Sequence, residues 1–132
     1  TRVTSWFGGS PSGCKLTGSV SCLFCQIVEK KVPAKVAFED DQVLAFHDIR
    51  PPAPVPVVVI PKKHITSLMD MTAGDDALVG GVVRRARELA REMGLGERGF
   101  RLVFNAGDDA GYSVYHIHLH LLGGRTLGWP PG

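Results

Sequence analysis

Apolar residues and histidines alternate without a break over residues 113–122, which read Ser-Val-Tyr-His-Ile-His-Leu-His-Leu-Leu. Alternation over this length predicts a β-strand. Successive side chains of a strand point to opposite faces, so His116, His118 and His120 would form a row on one face. The apolar backing on the other face would consist of Tyr115, Ile117, Leu119 and Leu121. The row contains three of the chain's five histidines and is the first candidate site.

Four shorter segments also have strand patterns. They are residues 35–39, 42–48, 55–60 and 101–105. The segment 55–60 is almost wholly apolar, which predicts a strand buried on both faces. Pro56 within it indicates an edge position or an irregular start, because proline cannot donate to a sheet. The proline-rich residues before it predict a stiff connector.

The helical patterns are one long segment and one short one. Over residues 75–93, apolar side chains recur on one stripe: Leu78, Val82, Leu89 and Met93. Thr72 and Asp75 resemble a capping box, and Gly94 suits the C-terminal stop. A second, short helix is predicted over residues 22–31. The order of elements predicts an α+β fold: an antiparallel β-meander of about five strands with one long helix and a short N-terminal helix.

Charge and composition limit the kinds of binding partner that the sequence predicts. The chain of 132 residues carries a formal net charge of +2. Residues 1–20 hold Arg2, Lys15 and no acidic residue, so basic and acidic residues balance over residues 21–132. No nucleic-acid partner is therefore predicted. No apolar run approaches the roughly 18 residues of a membrane span, so no membrane partner is predicted either.

Residues 1–20 differ in composition from the rest, being rich in Ser, Thr and Gly. We predict a flexible tail there, a transit-peptide remnant or a prefix added for expression. Residues 21–132 would form a single domain. A cytoplasmic location is expected, or an organellar one if the tail is a cleaved transit peptide. The three cysteines do not make a disulfide framework, and Cys22 and Cys25 indicate metal binding or a reducing compartment.

Two chemistries fit the histidine row. Two histidines at i and i+2 can share a metal ion. Alternatively, one imidazole is a nucleophile whose neighbours tune it and handle protons. The preceding loop, residues 105–113, has glycines that let the backbone approach an anion, with Asn105 and Ser113 as hydrogen-bond donors. Gly111 belongs to this predicted phosphate cradle.

Residues 116–122 resemble the His-x-His-x-His-x-x signature of the histidine triad (HIT) superfamily. The stretches 46–49, 59–64, 113–116 and the ending 123–132 are similar to the Hint branch, the purine nucleoside phosphoramidases. Trp129 in that ending favours Hint over the dinucleoside polyphosphate hydrolase branch. The resemblance covers residues 22–132, so residues 21–132 are identified as a HIT domain.

The resemblance implies an enzyme that hydrolyses the P–N bond of a purine nucleoside phosphoramidate of the AMP-amine type. His118 would be the nucleophile and form a covalent nucleotidyl-histidine, and His116 would complete the triad. His120 would hold the phosphate, and Asn105 would hydrogen-bond in the phosphate region. Ser113 would hydrogen-bond the departing group. Asp48 would bind the ribose hydroxyls. The purine would lie among Phe24, Ile27, Val32, Phe46, His47 and Ile49.

The resemblance also implies a homodimer whose two sheets join into one. A structural zinc is predicted on Cys22, Cys25, His64 and His116, since many bacterial Hint-like proteins resemble this pattern and thiolates with imidazoles suit a closed tetrahedral site. A redox pair, or two unrelated buried thiols, is the other interpretation of the two cysteines. No organic cofactor is expected.

The sequence is also compatible with other functions. Pro56 stands where Hint relatives usually have a histidine, so the protein could be a nucleotide-binding regulator or scaffold with weak residual catalysis. A dinucleoside polyphosphate hydrolase is a further alternative, and a catalytic metal on the histidine row is another.

Overall fold

The computed structural model describes residues 2–4, 22–48, 55–112 and 114–132. Over these residues the helices are α1 (Leu23–Val28) and α2 (Asp76–Glu92). The strands are β1 (Arg2–Thr4), β2 (Ala34–Glu39), β3 (Val43–His47), β4 (Val55–Pro61), β5 (Phe100–Phe104) and β6 (Leu119–Gly123). Within the described ranges, none of the helices has both the length and the apolar character that crossing a membrane requires.

The six described strands form one sheet in the order β1-β2-β3-β4-β6-β5, with every neighbouring pair antiparallel. Strands β2 to β4 are the predicted meander. After the crossover through α2, β5 lies at the edge and β6 is inserted between β4 and β5. The α+β prediction with one long helix is confirmed, and Arg2–Thr4 adds an edge strand that the pattern did not predict.

Apolar side chains cover both faces of the sheet. On one face, β3 and β4 pack Leu44, Phe46, Val58 and Ile60 against α1. On the other face, alternate residues of β3, β4 and β6 pack against Val82, Ala86, Leu89 and Ala90 of α2. The long helix therefore supports the sheet from behind, and the α1 face carries the candidate site.

The ends of α2 follow the predicted signals. The backbone N–H of Thr72 donates to the Asp75 carboxylate at 2.9 Å, and Lys63 Nζ lies 2.6 Å from the same carboxylate. At the other end, Gly94 takes a positive φ of 79°. Leu95 N–H donates to the carbonyl of Ala90 at 2.8 Å, and Gly94 N–H to that of Arg91 at 3.1 Å. These two bonds form a Schellman motif, which satisfies carbonyls that the helix leaves unpaired.

Two strand predictions are corrected. Strand β4 is internal, between β3 and β6, so Pro56 is not on an edge; it is the second residue of the strand, which agrees with the other alternative, a position at the start of the strand. Residues 114–118 lie outside the sheet, because Ile117 N–H donates to the carbonyl of Ile65 and His116 N–H to that of Val114. Tyr115 is accordingly 55% exposed and does not join the buried Ile117, Leu119 and Leu121.

Candidate active site and metal centre

Cys22, Cys25, His64 and His116 bring four ligand atoms within 4.8 Å of one another. The two ring nitrogens, Nδ1 of His64 and Nδ1 of His116, are 3.3 Å apart. Cys25 Sγ lies 3.0 Å from Nδ1 of His64 and 3.5 Å from that of His116, and Cys22 Sγ lies 3.6 Å from the latter. These residues come from the start of α1, the segment after β4 and the segment before β6.

The spacing fits a tetrahedral metal ion. Metal–sulfur bonds of about 2.3 Å and metal–nitrogen bonds of about 2.05 Å would separate sulfur from nitrogen by roughly 3.6 Å and the two nitrogens by roughly 3.3 Å. Three of the four distances above agree closely with these separations, and the contact from Cys25 to His64 is shorter. The group could therefore hold a metal ion such as zinc.

Local structure orients the ligands. Cys22 is the N-cap of α1, and its Sγ accepts from the backbone N–H of Cys25 at 3.3 Å, so both thiols lie on one helical turn. His116 Nε2 lies 2.8 Å from the carbonyl oxygen of Pro61, which can only accept, so Nε2 carries the proton and Nδ1 faces the cluster. Burial lowers the pKa of His116 to about 4, which keeps this imidazole neutral and able to bind a metal.

His118 is held in the complementary tautomer. Its Nδ1–H donates to the carbonyl oxygen of His116 at 2.7 Å, so its Nε2 carries the free lone pair. Burial lowers the pKa of His118, which is only 7% exposed, and so favours the neutral ring. A neutral imidazole with an oriented lone pair is a competent nucleophile.

Three rings surround His118. Phe24 and His120 meet it edge to face, each at 4.9 Å between centroids. Tyr112 stacks on it, with centroids 5.6 Å apart and ring planes 11° from parallel. The sequence pattern assigns no role to Tyr112; its only signal is that it is an aromatic residue at the end of the loop predicted as a phosphate cradle.

The residues predicted to surround the purine lie beside this ring cluster. Phe24, Ile27 and Phe46 are buried in the core cluster on the α1 face, with Val32 packed against it. The rings of Phe24 and Phe46 are 5.4 Å apart. His47 is half-buried, and its Nε2 has no hydrogen-bond partner among the described residues. Burial, followed by the charge of Lys35, lowers the pKa of His47.

The polar residues of the prediction lie at different levels of the sheet: Asp48 is level with Pro56 and Leu122, whereas Asn105 follows the other end of β5. Burial lowers the pKa of His120, and the charge of Asp48 opposes that shift, as it does for His118. Asp48 therefore lies within electrostatic reach of both histidines. Phe104 pairs with Leu119, so Asn105 comes opposite His118 where the ladder ends.

The structure gives less information on the remaining residues of the predicted site. Gly111 has a φ of 78° at the end of a short 3₁₀ turn, immediately before Tyr112. Ser113 and Ile49 lie outside the described residues, so their assigned roles stay predictions.

Comparison with known proteins shows the family. The model of the HIT domain family matches residues 29–127. The chain belongs to the HIT family.

Individual relatives align over most of their length. A crystal structure of a HIT family hydrolase from Legionella pneumophila superposes with a TM-score of 0.84 and 53% identity, covering 85% of this chain and 100% of that one. An uncharacterized HIT-like protein from Synechocystis is 46% identical over 83% of this chain and 96% of its own length. A histidine triad nucleotide-binding protein from Candida albicans has a TM-score of 0.72 and 29% identity, covering 83% of each chain.

Proposed function

We propose that this HIT protein hydrolyses the P–N bond of purine nucleoside phosphoramidates through a nucleotidyl intermediate on His118. The observation that carries the proposal is the hydrogen bond from His118 Nδ1 to the carbonyl of His116, which leaves Nε2 as a buried, unprotonated nucleophile. The name of the Legionella relative, a hydrolase, and that of the Candida relative, a nucleotide-binding protein, support the reaction class and the ligand class.

The reaction has two displacements at phosphorus. The Nε2 lone pair of His118 forms an N–P bond to the α-phosphorus, and the P–N bond to the amine breaks with its electron pair going to the amine. The departing amine needs a proton, for which Ser113 is the proposed donor. A water molecule then attacks the same phosphorus, the bond to Nε2 breaks, and the nucleoside monophosphate leaves with His118 restored.

Binding residues set the substrate in place for this attack. We assign the phosphate to His120 with Asn105, and the ribose hydroxyls to Asp48. The purine is assigned to the apolar wall formed by Phe24, Ile27, Val32 and Phe46, with His47 and Ile49 at its border. The edge-on contacts of Phe24 with both His118 and Phe46 support a pocket that continues from the nucleophile.

The metal centre is assigned to a structural zinc on Cys22, Cys25, His64 and His116. Two thiolates and two imidazoles with a closed set of four ligands are typical of structural zinc, which contributes to folding and leaves no open position for substrate. Neither His118 nor His120 belongs to the group that could hold a metal, which favours the nucleophile over a catalytic metal on the histidine row.

We also propose a homodimer with joined sheets. Strand β5 forms one edge of the described sheet, and a second copy could extend the sheet there. Trp129 is 82% exposed, and Arg101 beside it donates to the carbonyl of Gly128 at 2.9 Å, which holds the tail near that edge. An exposed indole on a held tail is typical of a contact surface.

Intact mass analysis tests the reaction. The protein is mixed with an AMP-amine phosphoramidate, quenched in neutral denaturant and weighed, with the His118→Ala variant as control. We expect one adenylyl group per chain in the wild type and none in the variant. If the protein turns over substrate without forming an adduct, and chelator abolishes that turnover, the proposal is contradicted and a catalytic metal is favoured. Faster cleavage of a dinucleoside polyphosphate would favour that substrate class instead.

A second candidate function, a nucleotide-binding regulator with weak residual catalysis, is favoured by Pro56. Pro56 pairs with Leu122 and lies two residues from Val58, which pairs with His120, so it occupies the sheet face of the site. Proline there has neither a side-chain proton to give nor a backbone N–H. Tight AMP binding combined with turnover too slow to measure would support this role over the enzyme.

A further inference from the structure

Tyr112 is buried against the imidazole proposed as nucleophile. Tyr112 is only 6% exposed, and its ring plane lies 11° from parallel to that of His118. Phe24 and His120 contact His118 edge to face. Among the described residues, the ring of Tyr112 is thus the one stacked along a face of the imidazole.

The phenol group of Tyr112 is anchored separately. Its hydroxyl donates to the carbonyl oxygen of Thr66. Burial, the largest cause, raises the pKa of Tyr112 to about 12, so the phenol stays protonated as a donor. The hydroxyl of Thr66 in turn lies 3.4 Å from Nε2 of His64, so the anchor point adjoins the metal centre.

The hydrogen bond from His118 to the carbonyl of His116 selects the tautomer but leaves the ring plane some angular freedom, because a single hydrogen bond tolerates a range of donor angles. A flat ring packed against its face removes this freedom. We propose that Tyr112 is a positioning residue, whose ring sets the plane of the His118 imidazole and so aims Nε2 at phosphorus. The inference rests on the proposed function for the identity of the reaction, and on the stacking geometry alone for the orientation of His118.

Two variants separate the ring of Tyr112 from its hydroxyl. Tyr112→Leu removes the stacked ring, and Tyr112→Phe keeps it while removing the bond to Thr66. Phe38→Leu is the matched control: Phe38 is a half-buried aromatic residue that packs with the core cluster on the α2 face, away from the site. Comparable losses of stability in the two leucine variants would isolate the effect on His118.

Kinetics with the AMP-amine phosphoramidate give the first measurement. Tyr112→Leu should lower kcat roughly 10- to 100-fold with KM and AMP affinity within a few-fold, because a small misplacement of a reacting atom costs about that much in rate. Tyr112→Phe should recover most of the loss, and Phe38→Leu should match the wild type. A raised KM with unchanged kcat would overturn the inference, since Tyr112 would then be a substrate contact.

Histidine NMR of ¹⁵N-labelled protein gives a measurement that needs no substrate. We expect His118 to be an Nδ1–H tautomer in all three proteins, with sharp resonances in the wild type and in Tyr112→Phe, and with resonances broadened by motion of the ring in Tyr112→Leu. If Tyr112→Leu fails to fold, Tyr112→Met replaces it as the ring-free variant. His118 resonances as sharp as those of the wild type in a folded ring-free variant would overturn the inference. Absence of turnover in the wild type would refute the proposed reaction only, and the NMR comparison would still decide the role of Tyr112.

Discussion

The carbonyl oxygen of His116 accepts the Nδ1–H of His118 at 2.7 Å, while the ring of His116 faces the cysteine pair. One residue therefore belongs to both centres: its side chain to the metal group and its backbone to the proposed nucleophile. The tautomers of the two rings follow from this, since His116 donates through Nε2 and His118 through Nδ1.

Replacing His118 by alanine should abolish phosphoramidate hydrolysis and leave AMP binding within a few-fold. Loss of a nucleophile typically costs about 10⁴-fold or more in kcat, whereas its contact in the ground state is modest. Steady-state kinetics and calorimetric titration with AMP measure the two effects. Turnover of the purified variant near the wild-type rate would refute the assignment of His118.

Replacing Cys22 by serine should remove zinc and destabilise the protein. The change deletes one thiolate of the proposed tetrahedral set, while serine can still cap α1, so a loss of stability reports on the metal. Metal analysis should find about one zinc per chain in the wild type and much less in the variant, with a lower Tm. Cys14→Ser is the matched control, because we assign that cysteine no role, and it should keep both metal and Tm. Metal-free wild type of unchanged Tm would argue against a zinc site.

Replacing Asp75 by asparagine should reduce stability at neutral pH and reduce it less in acid. The hydrogen bond from Lys63, then that from the backbone of Thr72, lowers the pKa of Asp75 in the folded state. A carboxyl with a lowered folded pKa stabilises the protein fully above its unfolded pKa of about 3.9, and this contribution disappears as pH falls through the folded value.

Urea unfolding at pH 7 and near pH 3 measures this difference, with Asp41→Asn in the exposed β2–β3 turn as the control for removing one charge. The difference in free energy of unfolding between wild type and Asp75→Asn should be smaller near pH 3 than at pH 7. A difference that is larger near pH 3 than at pH 7 would mean that the ion pair with Lys63 does not stabilise the fold.

Replacing Trp129 by alanine should weaken self-association. We expect light scattering of the wild type to give a dimer mass at micromolar concentration, and the variant to dissociate at higher concentrations than the wild type. Met69→Ala is the matched control, because Met69 is 86% exposed and Trp129 is 82% exposed. A wild-type monomer at micromolar concentration would contradict the dimer.

Local patterns were sufficient for most of the fold. Periodicity located both helices and the first four strands of the predicted meander within a few residues, because each segment carries its own spacing of apolar side chains, whereas the predicted fifth strand begins at residue 113 and β6 at Leu119. Thr72 with Asp75, and Gly94, marked the ends of α2 for the same reason: capping is a local interaction. The two-sided burial of β4 also followed from its composition, with Val57, Val58, Val59 and Ile60 all nearly inaccessible.

Other features depend on contacts between distant segments. Alternation predicted that His116 and His118 would continue a strand, yet hydrogen bonds to Ile65 and Pro61 hold residues 116 and 117 outside the sheet. The stacking of Tyr112 on His118 was likewise invisible in the pattern.

What the sequence by itself determined was the set of elements and the residue types of both centres, including the four potential ligands. What only the tertiary structure decided was their mutual orientation: which nitrogen of each histidine is free, and which ring covers the nucleophile. Residue types and periodicity are encoded locally, whereas a tautomer is selected by a carbonyl oxygen such as that of Pro61, 55 residues from His116 in the chain.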